Sequence, residues 1–323
     1  MGLIYTLTGE TARAQIRSYG NSPRELALHR GAMEDDVKNI KSRVHKCNGA
    51  GTIYESNFSI GFEIEKNNFL GRSRVLAGVT EYEMFRGYET DGSCGVEAIT
   101  HVLPLVPPSP WRNKVFDMFY KARPIIEDSQ SPSNISCGGH ITLGLSPNCE
   151  LSTREFWARL RPFAGLLMSL YRKRLRNSYC NTNLRMGGHD TGVADNIGSF
   201  HYKYQFALLK SSGVIEFRIP NRVQSVKSLF RRYELMYQLV DFAVNRPNAR
   251  FSTFLAKVRP IVKGMYSGDD AKVDEIYGYA KDFRKFIMNG TMTENIRPFF
   301  ARRVSDDLRI SRQRSSRGMV NRD

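Results

Sequence analysis

The chain has 323 residues, 41% of them hydrophobic, and a formal net charge of +16. That length can bury a sizeable core, no stretch reaches the ~18 uninterrupted apolar residues of a membrane helix, and the charge favours polyanions such as nucleotides, nucleic acid or acidic peptides. The five cysteines, Cys47, Cys94, Cys137, Cys149 and Cys180, contain no C-x-x-C pair, which argues against a zinc ribbon or a disulfide framework and for reduced thiols in a cytoplasmic protein.

In chain order, residues 1–50 are polar, with weak helical periodicity from Ser22 to Val44, and are expected to form a helical lead-in. Residues 51–300 are expected to form one domain and 301–323 a basic, flexible tail. Phe58 to Glu65 alternates cleanly: Phe58, Ile60, Phe62 and Ile64 share one face, and Ser59, Gly61, Glu63 and Glu65 the other. Asp91-Gly92 reads as a turn ahead of a short strand opened by Glu97. Ser109 and Pro110 predict a helix from Trp111 to Arg123. Cys137 to Leu145 alternates again, with Ile141, Leu143 and Leu145 opposite His140, Thr142 and Gly144.

Ser152-Thr153-Arg154-Glu155 is a capping box, followed by Phe156, Leu160, Phe163, Leu167 and Leu170 at helical spacing. Gly187 to Ser199 predicts a long mobile loop. Gly213 to Ile219 is a strand, with Tyr202 to Leu209 as its hairpin partner across Lys210 to Gly213. It carries Ile215, Phe217 and Ile219 on one face, Glu216 and Arg218 on the other. Further helices are predicted from about Val223 to Val244 and from Asp269 to Asn289-Gly290. Runs of strands and runs of helices predict an α+β fold: a mainly antiparallel sheet with helices on one face and a ligand on the other.

Charge gathers in two clusters, Arg172, Lys173, Arg174 and Arg176, then Arg302, Arg303, Arg309, Arg312, Arg314 and Arg317. They read as a solvated helix face and a tail, or as a contact for nucleic acid or another polyanion.

The chemistry lies on the polar faces of the strands. Two glutamates at i and i+2 project together, and Mg²⁺ takes carboxylate oxygens at ~2.0–2.1 Å. Glu63 and Glu65 can therefore serve neighbouring ions, with Glu97 a further ligand and Asp91 placed to orient an amine or a metal-bound water. Alone, Glu216 and Arg218 would be a salt bridge and His140 a hydrogen-bonded residue. Together, on strands whose other faces are apolar, they form a constellation. Lys203 and Arg185 are candidates to touch phosphate or a substrate carboxylate.

The series Gly61-Phe62-Glu63-Ile64-Glu65, Asp91-Gly92-Ser93 with Gly95-Val96-Glu97, Cys137-Gly138-Gly139-His140 and Val214-Ile215-Glu216-Phe217-Arg218 resembles the amidoligase family. That family belongs to the superfamily of glutamine synthetase and glutamate–cysteine ligase. The resemblance covers about residues 55 to 245, with the motifs in the family's order. It implies a glutamine synthetase-like catalytic domain with a curved sheet. It also implies Glu63, Glu65, Glu97, His140 and Glu216 as ligands of two or three Mg²⁺ (or Mn²⁺) ions bridging the phosphates of ATP. Arg218 is implied to neutralise the transferred γ-phosphoryl group. The implied reaction joins a small-molecule or peptide carboxylate to an amine through an acyl phosphate. Thr142 stands where the family often has a second histidine, and Gln205 and Ala207 where it tends to carry an asparagine. The rival expectations are a basic nucleic-acid-binding or virion-associated protein on a ligase-like fold without turnover, and a metal-dependent phosphohydrolase.

Overall fold

This computed structural model describes residues 45–49, 52–56, 58–66, 84–89, 96–100, 103–107, 112–127, 137–145, 149–177, 180, 198–199, 205–210 and 213–300. The strands are β1 (His45–Gly49), β2 (Thr52–Ser56), β3 (Phe58–Lys66), β4 (Phe85–Glu89), β5 (Val96–Thr100), β6 (Leu103–Pro104), β7 (Ile141–Leu145), β8 (Gly198–Ser199), β9 (Ala207–Leu209) and β10 (Val214–Phe217). The α-helices are α1 (Arg112–Lys121), α2 (Arg123–Glu127), α3 (Thr153–Leu170), α4 (Val226–Asn245), α5 (Phe251–Met265) and α6 (Asp270–Asn289). Asp91, Arg185, Lys203, the predicted helix before Val44, the caps at Ser109 and Pro110, most of the Gly187–Ser199 loop and the tail arginines lie outside the described residues.

The main sheet runs β4-β5-β3-β7-β10-β9-β8, with β6 also paired to β3. Its pairings are antiparallel except the short β8–β9 contact. β1 and β2 form a separate antiparallel pair that straddles the expected boundary at residue 50. The architecture is mixed helix and antiparallel sheet, as the clustering of strand and helix patterns predicts.

Alternation sorts the sheet into two faces. Phe58, Ile60, Phe62 and Ile64 of β3 and Ile215 and Phe217 of β10 are buried. Their rings meet helices: Phe62 packs edge-on against Phe119 of α1 at 6.0 Å, Phe58 meets Tyr237 of α4 at 6.3 Å, and Phe217 meets Trp157 of α3 at 6.1 Å. Lys66 continues the same face, and its buried ammonium donates to the carbonyls of Ile126 (2.7 Å) and Val223 (3.2 Å). α5 and α6 pack behind α3: Phe163 meets Phe254 at 5.1 Å, and Ser169 Oγ donates to Ile276 O at 2.6 Å. Among the described residues, no helix is long and apolar enough to cross a membrane.

Local signals place the helix ends. Ser152 and Glu155 form the reciprocal capping box expected of α3. Ser225 caps α4, which begins at Val226 rather than near Val223. Asp269 caps α6, and Gly290 ends it at φ 75°. The sequence pattern did not announce α5: Pro260 lies inside it and Arg250 gives it no side-chain cap.

The cluster at 172–176 is not a solvated helix face. It is a 3-10 helix whose arginines hold the fold. Arg172 bonds Glu275 at 2.6 Å and lies 4.7 Å over the Tyr279 ring, Arg176 donates to Pro298 O, and Arg174 is buried. Lys173 alone of the four is exposed.

Candidate metal centre

Register brings the predicted residues together. Glu65 and Glu97 are Cα partners across β3 and β5. Phe62 pairs with Ile141, and the ladder continues one step further through Glu63 N donating to His140 O at 3.1 Å. Glu216 pairs with Thr142, so Arg218, two residues on, falls beside His140. Cross-strand partners share a face. Glu63, Glu65, Glu97, His140, Glu216 and Arg218 therefore all project from the side opposite Phe62 and Phe217. Thr142 and Gly61 are partners on this face as well, and they add little bulk to it.

The face is closely wired. His140 Nδ1 lies 2.6 Å from Glu63 Oε2 and 3.8 Å from Glu216 Oε1, while Nε2 lies 3.0 Å from Glu65 Oε1. The other oxygen of Glu65 accepts from Gly138 N. Glu216 is ion-paired twice, Oε1 with Arg218 and Oε2 with Lys210 Nζ at 2.5 Å. Glu65, Glu97, His140, Glu216 and Arg218 are all buried, and the Glu63 side chain retains 18% exposure.

Glycines let the histidine segment in. A Cβ on Gly139 would stand 2.8 Å from both Arg232 Nη1 and Asn221 O, and one on Gly138 3.0 Å from Arg174 Nη2 and His140 Nε2. Arg174 donates to Cys137 O, and Arg232 donates to Asn221 O at 2.6 Å. Gly139 N closes the segment onto Pro220 O at 3.0 Å. Two buried arginines thus hold the backbone that presents His140.

Electrostatics follow from this crowding. Burial pushes the Glu216 carboxyl up, but Lys210, Arg218 and His140 bring it well below the usual glutamate value. Burial and Glu216 push Glu63 up, and the hydrogen bond and charge of His140, with the charge of Lys210, outweigh them and leave it lowered. Burial pulls the Lys210 ammonium down, whereas Glu216 and Glu63 carry it above the usual lysine value. The Arg218 guanidinium is raised in the same way, Glu216, Glu63 and Glu65 outweighing its burial.

The donor set fits a divalent cation. One ligand atom from each of Glu63, Glu97 and His140 lies within 4.8 Å of the others, a grouping that could hold one ion. A ligating histidine commonly donates its second ring N–H to a carboxylate, and Glu65 and Glu63 stand at the two ring nitrogens.

Lys210 is the site residue that sequence reasoning missed, because it read there as part of a turn. The signal lay in the hairpin: Glu216 pairs with Leu208, so Lys210, two residues later, returns to the Glu216 side. Gln205 is buried, and its Oε1 has no hydrogen-bond partner.

Neither a protein-family model nor a curated protein sequence matches this chain.

Proposed function

We propose that this chain is an ATP- and Mg²⁺- or Mn²⁺-dependent carboxylate–amine ligase, with a sheet of the curved, glutamine synthetase-like kind. The single observation carrying this reading is the convergence of Glu63, Glu65, Glu97, His140, Glu216 and Arg218 on one face of four adjoining strands. The motif order shared with amidoligases supports it.

A bound divalent cation supplies charge neutralisation to nucleotide phosphates and polarises the transferred phosphoryl group. The protein's own part is positioning. Glu63, Glu97 and His140 would hold the cation, Glu65 fixes the His140 segment, and Arg218 would offer a guanidinium to the phosphoryl oxygens. In the reaction, a carboxylate oxygen bonds to the γ-phosphorus as the bond to ADP breaks. The amine nitrogen then bonds to the acyl carbon as the bond to phosphate breaks, and the proton lost from the amine leaves with the phosphate. An imidazole among the ligands gives Mn²⁺ a donor that Mg²⁺ uses less readily.

The test is ADP release by the full chain with ATP and Mn²⁺ against pools of amino acids, polyamines and peptides, followed by mass spectrometry of the products. ADP release requiring both a carboxylate and an amine, with a product lighter than their sum by one water, is the expected result. ADP released with neither acceptor present would instead make the chain a phosphohydrolase.

A further inference from the structure

We propose that the Lys210 ammonium takes the place of a divalent ion, so that this face binds one divalent cation, at Glu63, Glu97 and His140, rather than two or three. The inference deepens the ligase reading and rests on the same site.

Glu216 stands apart from the other carboxylates because two cations hold it. Both oxygens of Glu216 are engaged, one by Arg218 and the other by Lys210. Both oxygens of Glu65 are engaged as well, by Gly138 N and His140 Nε2. A second ion seated on Glu216 would have to break a buried ion pair and lie against two fixed cations, and at ~4 Å such repulsion is large in a partly dry site. Glu63, Glu97 and His140 form the set whose ligand atoms approach one another.

The Lys210 backbone is fixed, because its N–H donates to Val214 O at 2.9 Å and its carbonyl accepts from Gly213 N at 3.0 Å. The ammonium is therefore delivered by a closed hairpin turn.

The test counts Mn²⁺ bound to the full chain without nucleotide, by equilibrium dialysis with the free ion read by electron paramagnetic resonance. The wild type should bind about one ion per chain, and Glu63→Gln with Glu97→Gln should bind none. Lys210→Met should bind about two, since one oxygen of Glu216 is then freed. A wild-type count of two or more, or an unchanged count in Lys210→Met that still melts cooperatively, overturns the inference and leaves the ligase reading standing. A wild-type count of zero overturns both. One bound ion without acceptor-dependent ADP release overturns the ligase reading alone. If Lys210→Met does not fold, the wild-type count still decides.

Discussion

Glu63 and His140 meet twice: the Glu63 amide donates to the His140 carbonyl at 3.1 Å, and the Glu63 carboxylate faces His140 Nδ1 at 2.6 Å. The main-chain bond fixes the register that makes the side-chain contact, so a substitution can remove the second and keep the first.

Glu63→Gln should therefore fold with its sheet intact and lose most of the stabilisation that Mn²⁺ gives. For the wild type, Mn²⁺ at 100 times its dissociation constant adds about 2.7 kcal/mol. Scanning calorimetry with and without Mn²⁺ reads the difference; an equal rise in both proteins would remove Glu63 from the ligands.

The paired glycines should behave differently from each other. Gly139→Ala drives a methyl group against the backbone oxygen of Asn221 as well as against Arg232, and should cost about 1–3 kcal/mol in urea unfolding. Gly138→Ala meets side-chain ends of Arg174 and His140, which can yield. It should weaken Mn²⁺ binding more than it lowers stability.

Acid should expose the depressed carboxyl groups. Glu63 and Glu216 both lie below the usual glutamate value of 4.5. Their contribution to stability is full above about pH 4.5 and is lost as the pH falls through the folded values. Removing the Lys210 charge moves both back toward that value, so Lys210→Met should start less stable at neutral pH and lose less stability than the wild type as the pH falls below about 4.5. Melting temperatures followed from neutral pH downward test this; coincident acid limbs would contradict it.

Lys66→Met should separate stability from binding. Its ammonium serves the carbonyls of Ile126 and Val223 on the helix side. Losing that donor should cost about 1–3 kcal/mol with the Mn²⁺ count unchanged.

What could be read in advance was local. β3, β7 and β10 were legible because each carries an apolar face that alternation exposes, and α3 and α6 because Ser152, Asp269 and Gly290 mark their ends. α5 was hidden by Pro260 within it and by Arg250 as an unbonded cap. Arg172 and Arg174 looked like solvated charge because their partners, Glu275, Tyr279 and the Cys137 carbonyl, lie far along the chain. Lys210 needed the hairpin register, which composition does not contain. The convergence of the carboxylates followed from faces alone, but the double engagement of Glu216 did not.

The row from Glu97 through Glu65, Glu63 and His140 to Glu216 exists only when β5, β3, β7 and β10 have found their partners. Its members come from distant parts of the chain, and contacts of that kind close late and slowly during folding. A cation held by Glu97, Glu63 and His140 would need β5, β3 and the segment leading into β7 joined, and so would draw the population toward completed sheet. Manganese added during refolding should then act as a template, and its capture would time the closing of the last strand.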